Sequence, residues 1–280
     1  MRKLLSANFS RLWRSKIFWA LEGISAIAGA VIYIMAIINE NNIGDGWYLW
    51  NGNYYFFIVL VYVGAIMAVF SGFYIGSEYS DGTLRNKIAV GCTRSNIYLA
   101  NLVVVVAAGI LFTITQMAVS VCVGLPFLGV LIWEALSPVG WRILAALIMI
   151  LCYGAIFAFF AMQDSNKSRS LLISFVLALA IIFGGIVTGS RLNESELTSR
   201  MILQEDGSYQ REFGLPNPRY ITGTTRTIYT FLDACIPSSQ AYNIARSEGV
   251  FNPLAIICQL CVTLATTAAG VAMFKKKDIK

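Results

Sequence analysis

The chain has no histidine. That removes the commonest general base and the commonest metal ligand from any mechanism. Charge is scarce as well: 13% of the 280 residues are charged, against about 25% in a soluble domain. Catalytic signatures are missing. There is no G-x-x-x-x-G-K-[ST] phosphate loop, because GTLRNK has no second glycine at that spacing and no adjacent strand. G-x-S-x-G and H-E-x-x-H are absent too. The apolar runs hold no paired carboxylates, which argues against an aspartyl protease. Beyond Glu22 they hold almost no acid, whereas a proton- or sodium-coupled carrier needs acids near mid-membrane. Neither an enzyme nor a self-powered carrier is expected. If the protein does work, the energy comes from a partner.

What is abundant is apolar surface. Hydrophobic residues make up 57% of the chain, and the mean hydropathy is +0.67. This composition describes an integral membrane protein with several spans. A net charge of +6 would suggest nucleic acid in a soluble protein. Here its placement matters more, and no nucleic-acid partner is expected. Of the cysteines, only Cys235 lies in a long polar loop, so no intrachain disulfide is implied there. Cys258 and Cys261 form a C-x-x-C inside a predicted membrane helix with no second pair. Packing is the plain reading of that pair, and a redox or zinc role the sharper one.

Residues 1–16 read as a basic amphipathic helix, with Leu5, Phe9, Leu12 and Trp13 on one face and Arg2, Lys3, Arg11 and Arg14 around it. Such a helix suits the headgroup plane. A signal peptide is the competing reading, but the apolar run from Ile17 to Ile38 is too long for one. That first span carries Glu22 near its cytoplasmic end, close enough to the edge to reach headgroups or an arginine. Further spans are expected over 54–75, 97–123 (stopping at Pro126), 143–162, 171–188 and 250–274. The segment Phe127–Trp133 is too short to cross. The stretch 191–249 is polar and of mixed charge, a small solvated loop domain. Within it Ile228, Phe231 and Leu232 give a short amphipathic helical pattern, which either caps the outer mouth of the bundle or merely connects.

Lysine and arginine gather on one side of this layout. They sit in the N-terminal segment, at Arg85, Lys87 and Arg94, at Lys167 and Arg169, and at Lys275, Lys276, Lys277 and Lys280. The opposite short loops, 39–53 and 124–141, contain none. This bias places both termini in the cytoplasm. Trp47, Tyr48, Trp50, Tyr54, Tyr55, Trp133 and Trp141 collect at the far edge as an aromatic belt. The expected fold is therefore an all-α integral membrane bundle. It has six transmembrane helices, an N-terminal elbow helix, and an extracytoplasmic loop domain between helices five and six.

One polar island interrupts the apolar runs: Glu78 to Asn101, EYSDGTLRNKIAVGCTRSNIYLAN. Asp81-Gly82 is a turn pair. Thr83 is placed as an N-cap and Leu84 to Val90 as two helical turns. Gly91 is placed to end them in a left-handed conformation. Thr93 or Ser95 then caps the next helix. A capped helix is more than a turn between two spans needs, so a partner is expected to read it. Leu84 and Ile88 share one face, and Arg85 lies off it.

These residues resemble the ABC-2 type permeases, the membrane subunits of ABC exporters. The resemblance rests on the elbow helix with Phe9, Arg11, Trp13 and Arg14, and on Glu78, Gly82, Thr83, Leu84 and Arg85 as E-x-x-x-G-T-L-R at the end of span two. It also rests on Thr93-Arg94 opening span three and on Phe274 followed by lysines and Asp278. The 216–240 stretch, with NPRY and IPSSQ, is similar to the outer loop of bacitracin- and lantibiotic-type exporters. Two positions depart from the family pattern: Gly91-Cys92 where a proline is usual, and Asn101 where a lysine is. The resemblance implies a single ABC-2 transmembrane domain over 1–280, with the coupling-helix loop at 78–96. It makes Glu78, Gly82, Thr83, Leu84, Arg85, Lys87, Ile88 and Arg94 the ATPase-coupling residues. It implies cytoplasmic ABC ATPase subunits that bind ATP and Mg²⁺ in place of any cofactor in this chain. It also implies a second permease copy or paralogue, a bacterial cell membrane, and export of a hydrophobic or amphipathic cargo such as an antimicrobial peptide. A membrane scaffold or sensor whose island docks a signalling protein is the alternative of another class.

Overall fold

The structure, a computed structural model, describes residues 1–41, 48–128, 136–203, 209–245 and 253–278. Trp47, Trp133 and most of the segment 127–133 lie outside the described residues. Among the described residues six helices are long and apolar enough to cross a bilayer, over Lys16–Met35, Phe56–Ser80, Arg94–Val123, Gly140–Gln163, Lys167–Leu192 and Pro253–Lys276. At about 1.5 Å per residue these lengths match a hydrocarbon core of about 30 Å. The protein is an all-α integral membrane bundle.

Helix α1 (Arg2–Arg14) lies across α5 (Arg94–Leu128) and is separated from α2 (Lys16–Asn41) by Ser15 alone. Ser15 is extended and its hydroxyl accepts from the backbone N–H of Phe18 at 3.3 Å. It thus ends one helix and caps the next. The buried face of α1 is Leu4, Asn8 and Leu12, with Leu5 and Phe9 packed partly against the core. Trp13 is exposed.

Helix α3 (Tyr48–Ser80) is the hub, packing on α5, α6 (Leu136–Gln163) and α7 (Lys167–Leu192). Gly72 and Gly76 bring α3 against the backbone of α7. A Cβ on Gly72 would meet Leu171 Cα at 2.8 Å, and one on Gly76 would meet Lys167 Cα at 3.0 Å. Small residues at i, i+4 are the usual device for such an approach in lipid. Helix α4 (Thr83–Ala89) is the short helix between α3 and α5. Helix α5 runs past Pro126 to Leu128 instead of stopping there. A proline costs one ladder bond, which a membrane helix tolerates this close to its end.

Between spans five and six the polar stretch is more than a loop. Strands β1 (Leu197–Leu203) and β2 (Tyr209–Pro216) pair antiparallel. Helices α8 (Gly223–Cys235) and α9 (Pro237–Ala245) follow, before α10 (Pro253–Lys276). Helix α9 turns back into the bundle against α3, α6 and α7, and seven of its nine residues are buried. Gly185 and Gly189 of α7 make room for it. A Cβ on Gly185 would lie 2.5 Å from Ser239 N, and one on Gly189 would lie 2.7 Å from the Tyr242 ring. Ser238 donates to the Ile181 carbonyl at 2.5 Å. Asp233 is buried just before α9 and accepts from the side chains of Ser239, Gln240 and Asn243. Helix α8 does form over the expected amphipathic pattern, but Ile228, Phe231 and Leu232 face outward. Its buried residues are Asp233 and Ala234.

Candidate functional site

The polar island folds into a defined piece. Gly82 takes φ +67° and Gly91 φ +91°, left-handed values that favour glycine. Gly82, rather than Thr83, is the residue that caps α4. Thr83 is the first helical residue, and its hydroxyl donates back to the Glu78 carbonyl at 3.2 Å. At the other end, Gly91 N–H donates to Ile88 O and Cys92 N–H to Lys87 O. This pair of bonds is a Schellman closure, with glycine in the left-handed position. Thr93 caps α5, accepting from Asn96 N–H at 3.4 Å.

Helix α4 turns Leu84 and Ile88 inward. Leu84 is 1% exposed and Ile88 packs partly against the core. Burying one leucine stabilises by about 1.5–3 kcal/mol, which fixes the face α4 presents. The opposite face, Arg85, Asn86, Ala89 and Val90, is exposed. Val90 shows 84% of its surface to solvent.

Beneath α4 four side chains from four helices close a ring. Lys87 of α4 donates to Glu78 of α3 and to Asn8 Oδ1 of α1 at 2.9 Å. Asn8 donates to Asn101 Oδ1 of α5 at 2.9 Å. Asn101 donates to Glu78 Oε2 at 2.8 Å. The ammonium only donates and the carboxylate only accepts, so the two amides relay between them. Arg11 joins from outside the ring, 2.7 Å from Glu78 Oε1. Its guanidinium also donates to the Tyr74 carbonyl at 3.2 Å and stacks 3.7 Å over the Tyr74 ring. Tyr74 in turn donates to the Asn8 carbonyl at 2.8 Å.

Glu78 is fully buried and is stable there because two cations and an amide meet it. Burial pulls the Lys87 ammonium below the usual lysine range, while Glu78 works against that pull. Arg11 therefore serves α3 and not only the membrane surface expected of it. Of Phe9, Arg11, Trp13 and Arg14, Trp13 and Arg14 are exposed.

A second set of contacts starts one residue on. Tyr79 donates to the Met162 carbonyl at the end of α6 at 2.5 Å. Lys277, just past α10, donates to Tyr79 Oη at 2.9 Å, Met162 O at 3.0 Å and Gln163 O at 2.9 Å. Arg94 holds the same tail through the carbonyls of Phe274, Lys275 and Lys277. Cations thus meet the free carbonyls at the ends of α6 and α10, where the helix dipole favours them. Burial pulls Lys277 down to about 8, with Asp164 opposing.

Glu78 and Tyr79 together make the last turn of α3 a junction for α1, α4, α5, α6 and α10. Of the residues expected here, Glu78, Lys87 and Arg11 meet directly, and Thr83 bonds the Glu78 backbone. Leu84 and Ile88 support α4 from within, Arg85 faces outward, and Arg94 binds the tail. The sequence reading missed Asn8, Tyr79 and Lys277, and it read Asn101 only as a departure. One signal was available: Asn8 sits midway between Leu4 and Leu12, on the buried stripe of α1.

Elsewhere, Glu22 on α2 bonds Thr115 of α5 rather than an arginine. Among the described residues no group of three or more Cys, Asp or Glu is placed to hold a metal ion.

Fold and junction define a polytopic membrane protein whose ends are tied together around one short surface helix. Residues 4–185 match the family described as ABC-2 family transporter protein, and the chain belongs to that family. The match takes in α4 and the first four spans whole, together with most of α1 and of α7. Among curated proteins, none matches the chain. Proteins of this family are membrane transport subunits that work with ABC ATPase subunits.

Proposed function

We propose that the chain is the permease subunit of an ATP-driven ABC exporter, coupled to its ATPase through α4. The observation that carries this reading is the two-sided construction of α4. Its inner face is fixed by Leu84, Ile88 and the Lys87–Glu78 ion pair. Its outer face, ending in Val90, is exposed and bonded at both ends into a rigid turn. The proposed contact surface is therefore Arg85, Asn86, Ala89 and Val90. Glu78, Gly82, Thr83, Leu84, Lys87, Ile88 and Arg94 hold that surface in place. Both termini and α4 lie in the cytoplasm of a bacterial cell, as the lysine and arginine bias supports. Six spans are half of a usual exporter, so a second copy or a paralogue completes the path. ATP and Mg²⁺ belong to the partner ATPase. The cargo is hydrophobic or amphipathic, with antimicrobial peptides of the bacitracin and lantibiotic type the class favoured by the 216–240 resemblance.

The test is co-purification with the soluble ATPase, followed by ATPase turnover in proteoliposomes across candidate peptides. Binding that is lost when Asn86 and Val90 are both replaced by arginine, in a chain that still folds, supports the reading. A chain that captures a signalling kinase instead of an ATPase makes it a scaffold.

A further inference from the structure

Two of the free cysteines that neither the fold nor the coupling reading uses come together. Cys235 ends α8 and Cys258 lies near the start of α10, and those two helices pack together. The Cys235 thiol has the Cys258 thiol as its side-chain hydrogen-bond partner, and Cys261 and Cys152 also lie within electrostatic reach of it. Cys235 and Cys258 are both half-exposed and both reduced here, and Cys261 is exposed. The sequence reading placed Cys235 in a loop without a mate, because Cys258 belongs to the last span, past a long stretch of chain. Contact between α8 and α10 supplies the mate.

We propose that Cys235 and Cys258 form a dithiol site that is oxidised to an intrachain disulfide by a thiol–disulfide oxidant. Such an oxidant is a disulfide-bearing oxidoreductase or a small-molecule disulfide. The step balances by exchange. One cysteine, as thiolate, attacks the oxidant's disulfide and releases one of its sulfurs as a thiol. The second cysteine then displaces the other sulfur from the mixed disulfide. The protein loses two electrons and two protons, and the oxidant becomes a dithiol or two thiols. The product fastens α8, and with it the buried α9, to the last span. The α8–α9 segment already packs on α7, α3, α6 and α10, and a covalent tie to α10 makes that last contact permanent. Disulfides persist outside the cytoplasm. That compartment for this pair rests on the orientation proposed above; the pairing itself does not.

The experiment uses the full chain. Purified protein is incubated with oxidised glutathione, alkylated, digested without reduction and analysed by mass spectrometry. The expected product is a peptide linked through Cys235 and Cys258. It is retained in C261S and C152S and lost in C235S and in C258S. Linkage of Cys258 to Cys261, linkage only between two chains, or glutathione adducts without an internal bond would overturn the pairing. A second arm alkylates intact cells with a membrane-impermeant maleimide after mild reduction. Labelling of Cys235 from outside supports the compartment. A linked peptide in vitro without outside labelling leaves the pair standing and reverses the orientation, so the two failures are distinguishable.

Discussion

Replacing Glu78 with glutamine tests the junction most directly. The amide keeps the shape of the side chain and one acceptor for Asn101, so packing changes little. What goes is the charge that Arg11 and Lys87 share. Removing one member of a buried ion pair costs about 3–5 kcal/mol, because the remaining charge is stranded. Here 29% of the Arg11 side chain and 16% of the Lys87 side chain are exposed. Water recovers part of their solvation, which puts the expected loss near the lower end, about 3 kcal/mol. Unfolding in mixed micelles, followed by tryptophan fluorescence, measures it. Lys87→Met and the double variant complete a cycle. Once Glu78 is neutral, Lys87 no longer has a carboxylate to pair with. The double variant should therefore cost less than the sum of the singles by at least about 1 kcal/mol. Additivity within about 0.5 kcal/mol would mean the charges are not coupled, and the ring would then be a coincidence of packing.

Gly185→Ala forces a methyl against the backbone of Ser238 and Ser239, at 2.7 and 2.5 Å, so α9 must shift; a loss of about 1–3 kcal/mol is expected, with a cysteine placed at Ala241 becoming reactive to maleimide. Val90→Arg leaves the unfolding midpoint nearly unchanged, within about 0.5 kcal/mol as exposed sites do, yet reduces ATPase co-purification at least about tenfold, a loss of about 1.4 kcal/mol. Lys277 titrates near 8: after reductive methylation its ¹³C resonance should move with a midpoint there, and the signal should vanish in Lys277→Met. The folded value lies below the ordinary 10.5, so between about 8 and 10.5 the unfolded chain binds more protons and this group raises stability as pH climbs. A midpoint at or above 10 would show that the ammonium is not buried against the ends of α6 and α10.

The bundle was legible in the sequence because each span is a long apolar run, and bilayer thickness converts run length directly into a helix. The limits of α4 were legible for a different reason: Gly82 and Gly91 bracket it, and both adopt the left-handed backbone that only glycine takes cheaply. The ring was not legible. Asn8, Glu78, Lys87 and Asn101 come from four helices at unrelated spacings, and no periodicity connects them. Arg11 looked like a headgroup residue because a basic amphipathic helix has that use, while its actual partner is 67 positions away. The seating of α9 escaped for a related reason. Its sequence, PSSQAYNIA, is too polar to announce burial; Ser238, Ser239 and Gln240 are tolerated inside because Ile181 and Asp233 accept their hydrogen bonds.

A helix that carries force must stay attached while the parts around it move. Driving a two-state bundle from 1:99 to 99:1 takes about 5.5 kcal/mol of differential binding. If α4 held to the bundle by less than this, docking would peel it away and the bundle would not respond. Leu84 contributes about 1.5–3 kcal/mol through burial. Breaking the buried Lys87–Glu78 pair adds about 3–5 kcal/mol. Together these come to about 4.5–8 kcal/mol, a range that brackets the required amount before Ile88 and the Thr83 bond are considered. On the proposed coupling role, the load would arrive at Glu78, which contacts α1 through Arg11 and α5 through Asn101. The neighbouring Tyr79 would carry it to α6 and to the tail after α10, which it contacts. One turn of α3 is enough to move four other elements, because two adjacent side chains point to different sides of it. A docking helix attached only by apolar contact would lack that margin, and this gives the chain a physical reason to bury a fully desolvated carboxylate where a hydrophobic residue would cost less.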